Sequence, residues 1–438
     1  MLRKALSSLL SGYLWAAGLI IIPGIMICSC HGPSKPVTGV AEMPVRAEPM
    51  LIHQLGREHL GNTVYRRGSE GPRIAASGNR IIEWPIQENA PLTEVVPYRP
   101  ENYNNGACAL DVNGDGIDEM IVARTVDKSG TNVLWFEEVP GKALWEEHLI
   151  GFVPNEGGEK GIHDIMSFEV HIPGKALSGI AIVVNRRSLY WFLIPDNVTQ
   201  PWTKYKIGDL RTHGAACAQS GLVSGDVTGD GIQDLVCGNF IAECPSDPTS
   251  GEWNIFRYSR WDTRKTPVFP EVPEWVAGEC FGGMNQLDLG DMNGDGKTDI
   301  VATDAEIPSA RLGVFSRDPE NPVGLWKETV VDTGLYCPHN LVVTDVDNDK
   351  RPDIITGEMT AGGWWFPRTE LPKLCLYLNK GNLKFDKYIL HEGYGIHMMR
   401  MAPDTESNKV FVFAADEIQS WYEDMTTHVV GWTITPLR

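Results

Sequence analysis

Short segments in which polar and apolar residues alternate recur along most of the chain. Four of them share an aromatic residue followed by such an alternation, and they cover residues 145–150, 202–207, 326–331 and 385–390. A period of two is typical of a β-strand that has one buried and one exposed face. Apolar runs without alternation, such as residues 179–184 and 410–415, predict strands that are buried on both faces. The pattern therefore predicts an all-β protein made of many short strands.

Four nine-residue segments repeat the same order of side chains, and they are Asp111–Glu119, Asp226–Asp234, Asp291–Asp299 and Asp345–Asp353. Oxygen-bearing side chains occupy the first, third, fifth and ninth positions of each segment, and a β-prone run follows. Ca²⁺ takes about six to eight oxygen ligands, which a tight loop supplies from alternate positions. The spacing therefore predicts four calcium loops that lead into strands. The predicted ligands are Asp111, Asn113, Asp115, Glu119, Asp226, Thr228, Asp230, Asp234, Asp291, Asn293, Asp295, Asp299, Asp345, Asp347, Asp349 and Asp353.

The same residue types also favour ordinary hairpin turns, but four copies in one register favour a shared role in cation binding. These loops are not EF-hands. An EF-hand carries a glutamate at the twelfth position, where these segments have Val122, Cys237, Ala302 and Thr356. In the fourth segment Lys350 stands where the others have glycine, so this segment departs most from the pattern.

The repeat extends beyond the aspartate-rich segments. Their starts are separated by 115, 65 and 54 residues, so the first gap has room for an additional unit. Segments that lack the aspartates repeat the strand pattern from residue 161 and from residue 395. Six units then begin near residues 103, 161, 213, 282, 337 and 395, and residues 58–96 contain strands for a seventh. Four short strands in each unit of about 50 to 60 residues predict a closed, seven-bladed β-propeller with calcium-binding inter-strand loops.

These repeats resemble the FG-GAP or VCBS family of calcium-loop propellers. The resemblance covers about residues 100 to 420 and is carried by the four aspartate-rich segments. It implies a propeller fold in which Ca²⁺ has a structural role. Propellers host unrelated functions, so the fold alone does not decide what this chain does.

The N-terminal segment has the form of a secretory signal, with two basic residues ahead of an apolar run at residues 14–28. A proline and a glycine interrupt the run, which disfavours a permanent membrane span. Residues 27–30 resemble the bacterial lipobox, which implies lipidation of Cys30. An ordinary cleaved signal peptide is the alternative.

We therefore expect residues 1–29 to be a lipoprotein signal peptide, residues 30–49 a flexible tether and residues 50–438 the propeller. Three prolines and two glycines between residues 31 and 47 suit a tether. Either form of signal places the fold outside the cytoplasm. The lipid anchor implies the bacterial cell envelope, with the outer membrane as the expected site of attachment.

The chain is acidic and rich in apolar residues. Its 38 Lys and Arg against 57 Asp and Glu give a formal net charge of −19, and 42% of the residues are hydrophobic. Proteins that bind nucleic-acid backbones need basic surface, so a nucleic-acid partner is excluded. The apolar content is sufficient for a large buried core, and we expect a monomer.

Polar and aromatic residues precede the predicted inner strands, where the blades of a propeller converge on its axis. The candidate catalytic residues are His163, His213, His339, His397, Tyr336, Tyr394, Arg400 and Asn340. These types supply the base, the cation and the acid that β-elimination beside a uronate carboxylate requires. We predict His163 or His213 as the base. Arg400 with Asn340 would neutralise the carboxylate, and Tyr336 or Tyr394 would protonate the departing oxygen.

This arrangement resembles two families built on such propellers, the ulvan lyases and the fungal aldos-2-ulose dehydratases, whose active sites are rich in His and Tyr. The resemblance implies a carbohydrate substrate and a carbon–oxygen lyase that degrades a polysaccharide or dehydrates a sugar. The alternative is a non-catalytic propeller that binds glycans or proteins. Such a binding module would not require histidines to converge at one end of the axis.

A zinc site is a further candidate at the same end of the propeller. Cys337 and His339, together with Cys217 and Cys280 from neighbouring units, offer the nitrogen and sulfur ligands that Zn²⁺ prefers. Buried free cysteines that pack as small apolar side chains are the alternative.

Overall fold

The computed structural model describes residues 43–56, 60–100, 103–127, 129–154, 161–172, 174–216, 218–251, 253–263, 286–304, 307–360, 370–403, 409–415 and 426–437. In this part of the chain, 28 strands form seven antiparallel sheets of four strands each. Two short 3-10 helices occupy Pro248–Ser250 and Trp261–Thr263. The predicted signal peptide and Cys30 lie outside the described residues. No helix within the described ranges is long and apolar enough to cross a membrane.

Each sheet is one blade, and the blades are numbered in chain order. Blade 1 contains β2 (Leu60–Gly68), β3 (Gly71–Gly78), β4 (Ile81–Pro85) and β5 (Thr93–Val96). Blade 2 contains β6 (Tyr103–Leu110), β7 (Glu119–Asp127), β8 (Gly130–Glu137) and β9 (Glu146–Pro154). Blade 3 contains β10 (Ile162–Ile172), β11 (Lys175–Val184), β12 (Ser188–Leu193) and β13 (Thr203–Asp209). Blade 4 contains β14 (Leu222–Gly225), β15 (Asp234–Cys237), β16 (Phe240–Glu243) and β17 (Asn254–Arg257).

Blades 5, 6 and 7 also have four strands each. Blade 5 contains β18 (Gln286–Gly290), β19 (Asp299–Thr303), β20 (Ala310–Ser316) and β21 (Lys327–Leu335). Blade 6 contains β22 (Val342–Thr344), β23 (Asp353–Gly357), β24 (Lys373–Asn379) and β25 (Phe385–Glu392). Blade 7 contains β26 (Met398–Ala402), β27 (Val410–Ala415), β28 (Thr427–Pro436) and the N-terminal β1 (Val45–Leu55).

The first strands of the blades form a closed ring around the axis. β2 contacts β6, β6 contacts β10, and the series continues through β14, β18 and β22 to β26, which contacts β2. The prediction of a seven-bladed β-propeller is therefore confirmed. Residues 58–96 were expected to hold one blade, and β2 to β5 occupy that stretch. The predicted unit starts agree with the inner strands to within a few residues except in blade 4, where β14 begins at Leu222 and not near residue 213.

The ring closes because the two ends of the chain share blade 7. β1 pairs with β28 along its length, from Val45 opposite Pro436 to Leu55 opposite Thr427. β1 therefore begins upstream of the predicted boundary at residue 50, and residues 45–49 belong to the outer strand and not to a tether. Val45 is 1% exposed, so packing as well as backbone pairing holds this segment in the sheet.

Burial differs between strand positions in the way the sequence pattern predicts. The second strands β19 and β23 are buried at every residue, because neighbouring blades cover both faces. The four alternating segments lie in the outer strands β9, β13, β21 and β25. In β21 most side chains are exposed or half-buried, as expected for the fourth strand of a blade.

The core is divided among the contacts between blades. Among the described residues, seven clusters of buried apolar side chains each join one pair of neighbouring blades. Between blades 3 and 4, for example, the Phe168 ring lies 6.0 Å from the rings of both Trp191 and Trp253. Since every blade packs against two others, closure of the ring is required to cover the last apolar faces.

Strand direction places the predicted functional residues on two opposite faces. The segments that precede the inner strands and those that join second to third strands lie on one face, which we call the top face. The four aspartate-rich loops join first to second strands, so they lie on the opposite, bottom face. The candidate catalytic histidines belong to the top face, away from the predicted calcium loops.

Candidate functional site

The aspartate-rich loops share one pattern of hydrogen bonds. In the first loop, Asp111 accepts the backbone N–H of Gly114 at 2.7 Å and that of Gly116 at 2.9 Å. The fifth-position Asp115 accepts the N–H of Ile117, and the ninth-position Glu119 accepts the N–H of Val112. The second and third loops repeat these bonds. These Asx-type bonds give the first three loops the same backbone turn.

The fourth loop has the same backbone although it lacks the glycines. Asn348 and Lys350 have φ of 61° and 69°, and the glycines at the equivalent positions of the first loop have φ of 79° and 88°. Oxygens of Asp345, Asp347 and Asp353 lie within 4.8 Å of one another. Oδ1 of Asp347 is buried and has no hydrogen-bond partner among the described residues. A buried carboxylate oxygen that has no hydrogen-bond partner and lies beside two other carboxylates is a suitable ligand for a cation.

The ninth-position carboxyl of every loop is destabilised in its charged form. Burial raises the pKa to about 7 for Glu119 and Asp353 and to about 6 for Asp234 and Asp299. Hydrogen bonds to each carboxylate oppose the rise in pKa, and the other carboxylates of the same loop add to it. A bound divalent cation would offset both the burial and the repulsion. Because the donors are all oxygens, the loops fit Ca²⁺ better than Zn²⁺.

The loops also contact the neighbouring blades. Arg66 of blade 1 donates to the carbonyl oxygen of Asp118 in the first loop at 3.0 Å. Arg317 of blade 5 donates to the carbonyl oxygen of Thr228 in the second loop. Asn379 of blade 6 donates to the carbonyl oxygen of Met292 in the third loop at 2.9 Å. A cation that orders one loop would therefore also order the contact between two blades.

On the top face, three of the predicted histidines lie in two groups near the axis: His163 contacts an aspartate and an arginine, and His339 lies beside His397. We call His163, Asp164, Arg186, His339 and His397 the histidine cluster. Nδ1 of His163 lies 2.7 Å from Oδ2 of Asp164, and Nε2 of His163 lies 2.7 Å from Nη2 of Arg186. The rings of His339 and His397 are 4.5 Å apart between centroids, and Nδ1 of His339 lies 3.3 Å from the carbonyl oxygen of His397.

Local backbone features bring these side chains together. His163 is the extra residue of a β-bulge in β10, because Ile162 pairs with Val184 and Asp164 pairs with Val183. Arg186 lies in the turn between β11 and β12, where Asn185 and Arg186 both have positive φ, 51° and 54°. That turn lies on the top face, so Arg186 reaches His163 of the same blade.

The hydrogen bonds of His163 determine its protonation. Because a guanidinium only donates, Nε2 must accept from Arg186, and Nδ1–H then donates to Asp164. Burial and the neighbouring Arg186 lower the pKa of His163, while Asp164 opposes this shift. His163 and His339 are close enough for His339 to lower the pKa of His163 further. His163 is therefore neutral, and the lone pair of its Nε2 accepts the hydrogen bond from Arg186.

Other predicted residues lie apart from this cluster or have different partners. His213 is exposed in the turn after β13, because the inner strand of blade 4 begins later than predicted. Asn340 donates to the carbonyl oxygens of Gly357 and Ile396 and accepts the N–H of Gly357, so its amide is fully used in holding the backbone. Neither geometry favours the roles that we predicted for His213 and Asn340.

The two predicted tyrosines also differ in their surroundings. The backbone N–H of Tyr336 donates to the Glu358 carboxylate, and its side chain packs on Cys337 and Met359. Tyr394 stacks on His391 at 5.4 Å between centroids and at 11° between planes, next to His428. Tyr394 therefore belongs to an aromatic group at the junction of blades 6 and 7.

Cys337 is buried, and two of the other three predicted zinc ligands, Cys217 and Cys280, lie outside the described residues. Within the described ranges, groups of three potential ligands occur at Glu137, Glu146 and His148 and at Asp345, Asp347 and Asp353. Neither group includes Cys337 or His339, so the zinc site stays a prediction.

A cavity of about 480 Å³, with both polar and apolar lining residues, lies on the axis, and we call it the axial channel. The inner strands of all seven blades line it, and its charged residues are Asp164, Asp288 and Arg400. Asp288 accepts the backbone N–H of Val343 at 2.6 Å. Asp164 is thus shared by the histidine cluster and the axial channel.

No model of a known protein family matches the sequence, and no curated protein matches it. Among solved structures, the chain is similar to the crystal structure of Sqt1 from Saccharomyces cerevisiae, with 11% sequence identity and a TM-score of 0.47. The superposition covers 88% of this chain and 98% of that chain. The chain is a seven-bladed β-propeller. We base this assignment on its seven sheets and closed ring of inner strands.

Arg186 and Asp288 were not among the residues predicted from the sequence. Only residues that directly precede the inner strands were considered, whereas Arg186 lies between the second and third strands of its blade. The signal that could have found it is Asn185-Arg186 between two apolar runs, which is typical of a two-residue hairpin turn. Such a turn lies on the same face as the starts of the inner strands.

The environment of His163 predicts a pH dependence of stability. Its pKa is lowered in the folded state, so the unfolded chain binds the proton more tightly, and the free energy of unfolding should fall as the pH drops below about 6.5. A tenfold difference in proton affinity between the two states corresponds to about 1.4 kcal/mol. Replacing His163 with Asn should remove this part of the dependence, as measured by urea unfolding between pH 5 and pH 8. The exposed His171 supplies the control, since His171→Asn should leave the profile unchanged.

Proposed function

We propose that this propeller is a lipid-anchored, extracytoplasmic lyase that acts by β-elimination on sugars that contain a uronic acid. The observation that supports it is that His163 of blade 3, with Asp164 and Arg186 bound to it, lies within electrostatic reach of His339 of blade 6, whose ring lies beside that of His397 of blade 7. Residues so distant in the sequence meet only because the ring closes. Adhesion through the rim of a propeller would not require such a centre.

The geometry favours Arg186 as the contact for the substrate carboxylate. Its Nη2 donates to His163, and its buried Nε has no partner among the described residues. A half-buried guanidinium with an unused donor can bind a carboxylate strongly. His163, held by Asp164, then positions the guanidinium and does not act as the base.

His339 and His397 are the remaining candidates for proton transfer. The base takes the proton from the carbon beside the carboxylate, and the electron pair of that C–H bond forms the new C=C bond. The C–O bond at the next carbon breaks, and the departing oxygen receives a proton from the acid. Arg186 would stabilise the negative charge that develops on the carboxylate during this step.

We propose that Ca²⁺ binds the loops of the bottom face and has a structural role. The four loops resemble those of FG-GAP or VCBS propellers. In the fourth loop the oxygens of Asp345, Asp347 and Asp353 lie close enough to share one Ca²⁺. Because the loops lie on the face opposite the histidine cluster, we assign the ions no part in the reaction. They would instead stiffen the blades that carry the cluster.

A non-catalytic propeller that binds glycans or proteins is the second candidate. It is favoured by the low exposure of the imidazoles, which is 5% for His163, 3% for His339 and 6% for His397. A base that is so covered reaches a substrate only after neighbouring groups move. The same Arg186 could hold a carboxylate without any proton transfer.

Soluble protein from residue 43 onward, tested with calcium against polymers and oligosaccharides of uronic acids, would distinguish the two candidates. An unsaturated uronate absorbs in the ultraviolet, so elimination gives a rising signal. Arg186→Met should lower kcat/KM by about 100-fold or more, the usual loss when one charge-stabilising donor is removed. The adjacent Arg187→Met is the matched control and should retain activity. The binding module would be favoured if the wild-type chain gave no signal on any substrate but bound a glycan, and if Arg186→Met lost that binding.

A further inference from the structure

The axial channel holds two charged groups that the proposed reaction does not use, Asp288 and Arg400, and a third, Asp164, that it shares with the histidine cluster. Asp164 bonds to His163, and Asp288 accepts the backbone N–H groups of Val343 and Leu289. Both carboxylates are therefore held in place by the protein itself. Each lines the cavity and can accept further hydrogen bonds, because a carboxylate can accept about four.

Arg400 is the cation in this cavity, and its guanidinium donates to a backbone carbonyl. Its Nη1 donates to the carbonyl oxygen of Met399 at 3.0 Å. Asp164 and Asp288 stabilise its charge electrostatically, and in the part of the chain that the structure describes neither carboxylate forms a hydrogen bond with it. A guanidinium has five N–H donors, and desolvation of a charge is unfavourable unless it is paired. The remaining donors of Arg400 therefore require a ligand or water.

The mixture of charges restricts the kind of ligand. An anion on Arg400 would face the two carboxylates, and a cation beside the carboxylates would face Arg400. A hydroxyl group suits both, because it accepts from a guanidinium and donates to a carboxylate. Gln286 adds an amide that can do either, and Met166 and Met399 offer apolar contacts for C–H groups. The volume of about 480 Å³ is within the usual range for small-molecule sites.

We propose that the axial channel binds an uncharged sugar ring, whose hydroxyl groups bridge Arg400 to Asp288 and Asp164. The inference rests on the proposed function in one respect, that the ligand is a carbohydrate. It requires neither elimination nor the imidazoles. The site therefore recognises a neutral sugar, whereas the histidine cluster receives the uronate.

The probes are glucose, galactose, mannose and xylose, with glucuronate and glycine as anionic and zwitterionic competitors. Binding is followed by the NMR signal of the Arg400 side-chain N–H groups and by calorimetry on the protein from residue 43 onward. At least one neutral sugar should shift the Arg400 signal. Its affinity should fall tenfold or more in Arg400→Met and Asp288→Asn, while Arg46→Met, at an exposed arginine, should bind normally.

Three results would overturn the proposal. The first is an Arg400 signal that no neutral sugar moves, which would leave only water in the channel. The second is displacement by glucuronate or glycine with no response to neutral sugars, which would make the site one for charged ligands. The third is loss of sugar binding in His397→Ala with wild-type affinity in Arg400→Met, which would place the sugar in the histidine cluster. Absence of elimination does not by itself overturn the proposal, because sugar binding is measured at Arg400 and does not require the reaction.

Discussion

A chain that lacks residues 1–55 will fail to form a cooperatively folded propeller, because it has lost the strand that completes blade 7. β1 pairs with β28 along its length and buries Val45, Ile52 and Leu55 at 1%, 0% and 5% exposure. Burial of three such side chains contributes about 5–9 kcal/mol, which is comparable to the whole stability of many domains. Thermal unfolding monitored by circular dichroism should show no cooperative transition.

The matched control is a chain that lacks residues 1–42 and keeps β1 intact. It should unfold cooperatively, because all seven blades then have four strands. If the shorter chain melted within a few degrees of this control, β1 would be dispensable and the account of ring closure would be wrong. A midpoint that rises with protein concentration in the shorter chain would instead point to closure between two chains.

Removal of calcium is the second change with a large expected effect. A site that is saturated at about one hundred times its dissociation constant stabilises the folded state by about 2.7 kcal/mol, so four loops together would contribute about 11 kcal/mol. A chelator should therefore lower the thermal midpoint strongly, and added Ca²⁺ should restore it. Mg²⁺ should restore less, since it demands a tighter octahedral geometry.

Variants of a single loop measure how much of the calcium-dependent stabilisation that loop contributes. Asp226→Ala removes the first-position carboxylate of the second loop, which also holds the backbone of Gly229 and Gly231, and it should remove about one quarter of the calcium-dependent stabilisation. Asp196→Asn, at an exposed bottom-face aspartate of blade 3, which has no aspartate-rich loop, should change little. Equal midpoints in calcium and in chelator for the wild-type chain would show that the loops are ordinary turns.

Much of the fold followed from the sequence because the information is local and repeated. The aspartate-rich loops mark the connection between first and second strands, and the alternating segments mark the outer strands. β1 was placed partly in a tether because residues 45–49 do not alternate cleanly and their partner β28 lies at the other end of the chain. Pairing of that kind leaves no local pattern in the sequence.

The candidate site was predicted less completely, and the reason is geometric. His163, His339 and His397 directly precede inner strands or begin them, so their convergence could be expected. His213 was included because the start of β14 was placed too early, and Leu222 is where the strand begins. Arg186 was missed because a bulge and a tight turn bring it to His163, and neither feature follows from strand periodicity alone.

The mass of the products formed from a uronic-acid oligosaccharide tests the central claim most directly. Elimination cleaves the chain without adding water, so the two product masses should sum to the mass of the substrate, and one product should carry the C=C bond. This outcome should depend on Arg186 and not on Arg187. Products whose masses sum to the substrate plus one water would show hydrolysis and contradict the account. Intact substrate that binds in an Arg186-dependent way would contradict catalysis and leave a binding module.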